Sequence, residues 1–142
     1  MRSIPQNAAV DRRPAQSGPP RSLRLLVVDG EPLIRWSLAA ALEQRGHRVT
    51  VAADRDGALH AIGAGPVDVI LLDCQLADSA DLELLRIIRG RTPQTPVIGM
   101  TAFPSQDLRR RAGEFGAACL LEKPFDVFGI EQVLLDVCSM SA

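Results

Sequence analysis

The chain has 142 residues, 46% of them hydrophobic, and a formal net charge of −1. That length allows one domain with a sizeable core. Near-neutrality argues against the basic footprint of a nucleic-acid binder, and no apolar run approaches the ~20 residues of a membrane-spanning helix.

Residues 1–22 place Pro5, Pro14, Pro19, Pro20 and Gly18 among Ser, Gln and four Arg. Such a composition cannot bury enough apolar surface to offset ordering, so a disordered tail is expected. It also lacks the apolar core of a secretory leader. Residues 23–142 carry 12 basic and 16 acidic side chains. Fifteen of the 16 basic residues in the chain are Arg, and the only Lys is Lys123. A lysine is a compact point charge and an arginine a wide planar fork, so this exception points to a place where a fork does not fit.

From Leu23 the pattern becomes regular. Residues 23–28 (LRLLVV) read as a strand that ends in Asp29-Gly30-Glu31. Pro32 suits the first turn of a helix, which runs to about Arg45 and stops at Gly46. Its inward stripe is expected to be Ile34, Leu38, Ala41 and Leu42, with Trp36 roughly opposite. Residues 48–52 form a second strand, and Asp54 can cap a helix over about 55–63. Residues 67–72 (VDVILL) make a third strand, buried on both faces, that delivers Asp73 at its C-terminal end. Ser79 can cap a helix over 80–89, with Leu82, Leu85 and Ile88 facing in and Gly90 after it. Pro96 to Met100 is a fourth strand ending at Thr101, followed by a helix over about 105–112 that carries Arg109, Arg110 and Arg111. A short fifth strand, Ala118 to Leu121, leads into Glu122-Lys123-Pro124-Phe125. The last helix starts near Asp126, with Val127, Ile130, Leu134 and Val137 on one side.

Five strands alternating with five helices imply right-handed βαβ units around a parallel sheet, with the first and last helices on one face and the middle three on the other. In such a sheet the strand C-termini share one edge, where ligands bind. Asp29, Glu31, Asp73, Thr101 and Lys123 all fall at that edge. Carboxylates in proximity suit a hard cation such as Mg²⁺. A hydroxyl and an ammonium suit an oxyanion, and the set together suits transfer of a phosphoryl group to a carboxylate. No Gly-rich phosphate loop is present, so a nucleotide cofactor is not indicated. His47 and His60 are expected on surface-like edges, away from any Ser or Cys. Cys74, Cys119 and Cys138 are scattered and lack metal-ligand spacing; they read as reduced core residues of a cytoplasmic protein.

The segments VVDGEPLIRWSL, VDVILLDCQLAD, PVIGMTA and LLEKPF, in this order and spacing, resemble the receiver domain of bacterial two-component response regulators. The resemblance covers about residues 23–138, leaving 139–142 as a C-terminal tail. It implies a flavodoxin-like α/β fold with strand order 2-1-3-4-5. It implies Asp73 as the acceptor of a phosphoryl group from a histidine kinase, and Asp29 as the first member of an acidic pair near Mg²⁺. Thr101 would hydrogen-bond the phosphoryl group, Lys123 would pair with the acceptor, and the Gln75 backbone carbonyl would face the metal. The Lys-Pro bond that follows is often cis in the family. The domain would signal by a conformational change, and its only catalysis would be its own phosphorylation and dephosphorylation.

Three positions depart from the family pattern. The second acidic position is Gly30, which has no side-chain oxygen. Glu31 is the tentative substitute, although as the first acid of a helix it also suits the helix dipole. The aromatic residue usually found three places before the lysine is Leu120, and the loop after Asp73 lacks the usual Pro and Asp-Gly turn. Three functions therefore stand: a phosphorylatable receiver with weakened Mg²⁺ binding, a degenerate receiver that binds a protein irrespective of phosphate, and a flavodoxin-like cofactor binder. The last lacks a phosphate loop after the first strand. Implied partners are a sensor histidine kinase or phosphotransfer protein, met by the first helix and Trp36, and a homodimer or output domain met through the fourth helix, fifth strand and fifth helix. The first segment resembles regulators of the nitrogen-control type, so the chain is either a stand-alone receiver or part of a longer regulator. Arg109–Arg111 are expected to form a solvated helix face.

Overall fold

A computed structural model describes residues 22–76 and 82–141. The strands are β1 (Arg24–Val28), β2 (Arg48–Ala52), β3 (Val69–Asp73), β4 (Val97–Thr101) and β5 (Cys119–Glu122). The helices are α1 (Pro32–Gln44), α2 (Arg55–Ala64), α3 (Glu83–Arg91), α4 (Gln106–Glu114) and α5 (Val127–Ser141). All strand pairs are parallel, in the order β2-β1-β3-β4-β5. The expected tail over 1–22 lies, apart from Ser22, outside the described residues.

The sheet divides the core in two. On one side Leu38, Leu42, Ile130, Leu134 and Val137 of α1 and α5 cover Leu25, Val27, Leu71 and Ile98. On the other, Ala58, Leu85, Ile88, Leu108 and Ala112 of α2, α3 and α4 cover Leu26, Val28, Ile70 and Leu72. Alternate residues of one strand thus enter opposite layers, and every residue of β3 and β4 is buried. Each such aliphatic side chain contributes roughly 1.5–3 kcal/mol on full burial, which is why the two central strands read as unbroken apolar runs.

Local signals set most boundaries. The Asp54 carboxylate accepts the Gly57 N–H at 2.8 Å, and the Ser105 hydroxyl accepts the Leu108 N–H at 3.0 Å, capping α2 and α4. Pro32 opens α1, where its missing N–H costs nothing. Other expectations need correction. Gly90 lies inside α3; the helix stops at Thr92, which precedes Pro93 and returns both its N–H and its hydroxyl to the Ile88 carbonyl. The Ser79 cap lies outside the described residues, and α3 begins only at Glu83, after Leu82 turns left-handed at φ 61°. In α1 it is Ala39 that is buried with Leu38 and Leu42, while Ile34 and Ala41 are half-buried. α5 continues to Ser141, through residues expected as a tail.

His47 is also not a surface residue. It is 6% exposed, its Nδ1 accepts the Leu23 N–H at 3.1 Å, and its Nε2 lies 2.7 Å from Glu131 Oε1. Sequence pattern misses this because the partners come from 24 and 84 residues away. None of the three cysteines is in a disulfide, and all three are half-buried.

Candidate functional site

Register brings the site together. Asp73 pairs with Met100 across β3 and β4, and Thr101 pairs with Glu122 across β4 and β5. Asp73 and Thr101 end their strands at the edge that Asp29 and Lys123 reach one residue past theirs, and the Lys123 N–H bonds to the Thr101 carbonyl at 2.7 Å. The Lys123-Pro124 peptide bond is cis.

Asp29, Asp73 and Thr101 are the buried polar residues of this edge, at 0%, 7% and 0% exposure. Lys123 Nζ lies between the two carboxylates, 2.7 Å from Asp29 Oδ2 and 3.6 Å from Asp73 Oδ2. The lysine is therefore tighter on Asp29 than on the residue expected to be its partner. The remaining carboxylate oxygens are held by backbone: Asp29 Oδ1 accepts the Glu31 N–H and Asp73 Oδ1 accepts the Gln75 N–H, each at 2.9 Å. The Thr101 hydroxyl donates to Gln75 Oε1 at 2.9 Å and accepts the Phe103 N–H at 3.0 Å.

Burial pushes the Asp73 carboxyl above the ordinary carboxylate range. The Gln75 N–H and the Lys123 ammonium pull it back, and the neighbouring Asp29 charge adds to the rise. The next residue, Cys74, has its thiol pushed up to about 11 by burial and by the adjacent Asp73 charge, so it is no nucleophile at neutral pH.

The metal-binding expectation meets a thin donor set. Among the described residues no group of three or more His, Cys, Asp or Glu is arranged to hold a metal ion. Gly30 contributes no side-chain oxygen, and a Cβ built there would meet nothing closer than 3.8 Å. Glu31 is exposed, and its side chain caps no amide of α1. It lines a cavity of about 390 Å³ between α1 and the β5–α5 connection, together with Leu33, Ile34, Lys123 and Phe125. What remains for a cation is Asp29, Asp73 and the Gln75 carbonyl. Mg²⁺ is held in many sites by one or two carboxylates and water, so the set fits it with one carboxylate fewer than an acidic pair would give.

Two contributors give little sign of themselves in the sequence. Arg35, one turn into α1, donates from Nη1 to the Asp29 carbonyl at 2.8 Å and braces the loop that carries the first acid. Its place in the VVDGEPLIRWSL segment is the only signal for it. Gly99 is the other. A Cβ there would stand 2.9 Å from Leu120 Cδ1 and 3.1 Å from Cys74 Sγ. Leu120 thus lies over the sheet at the space that glycine leaves, and packs with the α2–α4 layer. Arg109 and Arg110 are exposed as expected and Arg111 is half-buried; Arg110 and Arg111 both pair with Asp107, and Arg110 also with Glu114.

Comparison with known proteins identifies the family and the fold. Residues 25–134 match the family described as the response regulator receiver domain. The chain is 37% identical over 101 residues to the DNA-binding transcriptional regulator NtrC of Proteus hauseri, covering 71% of this chain and 21% of that protein. It is 39% identical over 106 residues to the transcriptional activator protein PfeR of Pseudomonas aeruginosa, covering 75% of this chain and 34% of that one. The chain therefore spans about a fifth to a third of the length of these regulators. Among solved structures, the beryllofluoride-activated NtrC4 receiver domain dimer superposes with a TM-score of 0.78 at 31% identity, covering 84% of this chain and 98% of that one.

Proposed function

The chain belongs to the response regulator receiver domain family, and from that premise we propose that Asp73 is its phosphoryl acceptor, charged by a phosphohistidine of a sensor kinase or phosphotransfer protein in the cytoplasm. The observation that carries the assignment is the position of Asp73 Oδ2. It is the one carboxylate oxygen of the buried pair without a tight partner among the described residues, and it faces an ammonium at 3.6 Å. In the transfer, Asp73 Oδ2 attacks phosphorus, the P–N bond to the donor imidazole breaks, and the imidazole leaves after taking a proton. An acyl phosphate remains on Asp73. The Gln75 N–H fixes the carboxylate plane for in-line attack. Lys123, already anchored by Asp29, supplies positive charge beside the new phosphoryl oxygens. Thr101 offers a hydroxyl on the β4 side.

Asp29, Asp73 and the Gln75 carbonyl would hold Mg²⁺, with Glu31 as a more distant candidate. When bound, the ion supplies charge neutralisation at the transferring group. With Gly30 at the second acidic position, its affinity is expected to be low. Leu33 lines the cavity beside Lys123 and the Phe103 N–H bonds to Thr101; both are exposed, as is Trp36 of α1, and the three are a suitable landing surface for the donor protein. A second copy or an output domain would meet the α4–β5–α5 face; the related NtrC4 receiver is described as a dimer.

The test is intact mass after incubation with a small phosphodonor and Mg²⁺. One phosphoryl mass is expected on the wild type and none on Asp73→Asn. No gain on the wild type, under conditions in which another receiver reacts, overturns the assignment.

A further inference from the structure

We propose that the Gln75 side chain is a positioning residue that latches Thr101 in the resting protein, so that Thr101 reaches a phosphoryl group only after this bond opens. The proposal rests on Asp73 being the acceptor.

A threonine hydroxyl has one proton to donate. In this protein the Thr101 proton is directed to Gln75 Oε1 at 2.9 Å, while its oxygen accepts the Phe103 N–H at 3.0 Å. As long as the first bond stands, the hydroxyl has nothing to offer an oxygen on Asp73. Thr101 is fully buried, so water does not compete for that proton.

The backbone builds the latch. The Cys74 N–H bonds to the Met100 carbonyl at 2.9 Å, which lays the segment after Asp73 alongside the end of β4. The Gln75 N–H then returns to Asp73 Oδ1, which turns the chain and directs the Gln75 amide across to Thr101. One residue therefore touches both partners of the later event, the carboxylate through its backbone and the hydroxyl through its side chain. Gln75 itself is exposed. Once released, its amide is hydrated, so opening leaves only the hydroxyl in need of a partner, and a phosphoryl oxygen is one.

The experiment uses Gln75→Met, which keeps the length and bulk and removes the acceptor. In the resting protein, without phosphodonor, NMR is expected to show faster exchange of the Thr101 hydroxyl proton and a shifted Phe103 amide, because that amide shares the hydroxyl oxygen. Unchanged signals overturn the latch whatever Asp73 does. With acetyl phosphate and Mg²⁺, Gln75→Met is expected to gain phosphate about three- to tenfold faster than wild type, the scale of one neutral hydrogen bond. In a Thr101→Val background the same substitution is expected to change nothing. An unchanged rate in the first case, or an equal acceleration in the second, overturns the proposal, since a merely structural Gln75 would act without Thr101. If no form takes phosphate, the acceptor assignment has failed, and the resting-state spectra decide the latch alone.

Discussion

Asp29 and Asp73 stand at the C-terminal ends of adjacent strands and begin with the same device. Each turns its Oδ1 onto the N–H two residues ahead, at 2.9 Å. They part at the second oxygen. Asp29 Oδ2 holds Lys123 at 2.7 Å in full burial, whereas Asp73 Oδ2 stands 3.6 Å from the same ammonium and retains some exposure. Two carboxylates of one local geometry thus differ in how closely they hold the same lysine. On the proposed assignment, the one that keeps the lysine is an anchor, and the one that does not is available to a reactant.

The largest way to break this comparison is to remove the cation. Lys123→Met leaves two buried carboxylates facing each other without a counter-charge. Removing one partner of a buried pair costs roughly 3–5 kcal/mol, and urea denaturation at pH 7 is expected to show a loss of about that size. The pull of the Lys123 ammonium on the Asp73 carboxyl would then be gone, so Asp73 would hold its proton still more readily folded than unfolded, and the deficit is expected to shrink as pH falls. A loss below about 1 kcal/mol, typical of an exposed pair, would mean that Lys123 anchors nothing.

A smaller change sharpens the acidic side. Gly30 is next to Asp29, and its backbone leaves at least 3.8 Å to the nearest atoms around a built Cβ. Gly30→Asp should therefore fold and add a third carboxylate beside the first two. Calorimetric titration is expected to show Mg²⁺ bound about tenfold more tightly, or ~1.4 kcal/mol. Unchanged affinity would show that Asp29, Asp73 and the Gln75 carbonyl already satisfy the ion.

How far the sequence discloses this site follows from what kind of contact each part depends on. The two core layers and the shared edge come from alternation and periodicity, which are local, so these suffice to place Asp29, Asp73, Thr101 and Lys123 at one edge; the strand order itself comes only with the family resemblance. The solitary lysine is a compositional signal of the same sort. What stays hidden depends on distance in space. Nothing in the spacing says that Lys123 prefers Asp29, that Gln75 spends its side chain on Thr101, or that His47 is buried against Glu131. Gly99 looks like an arbitrary interruption of an apolar strand until Leu120 and Cys74 are seen at the place its Cβ would take. Gly90 misleads for a different reason. Thr92 and Pro93 jointly set the end of α3, and a glycine near a helix end is only one of several stop signals.

The smallest effect separates the two aspartates by sign. Burial holds the folded Asp73 carboxyl above the ordinary carboxylate range, so over that interval the native state keeps a proton that the unfolded chain has lost. Stability then falls as pH rises through the interval, and at neutral pH the ionised Asp73 is a net burden on the fold. Asn keeps an oxygen for the Gln75 N–H but cannot ionise. Asp73→Asn is therefore expected to melt a few degrees higher than wild type at pH 7, on the order of 1 kcal/mol or less for a domain of this size once solvent screening is allowed for. The gain should fade as pH is lowered into the ordinary carboxylate range, where wild-type Asp73 is neutral as well. Asp29→Asn should move the opposite way, because it deprives Lys123 of its 2.7 Å partner and leaves only the contact at 3.6 Å. If both variants gain stability, or both lose it, then the lysine does not distinguish the two carboxylates, and the division into anchor and acceptor fails at the level of energy.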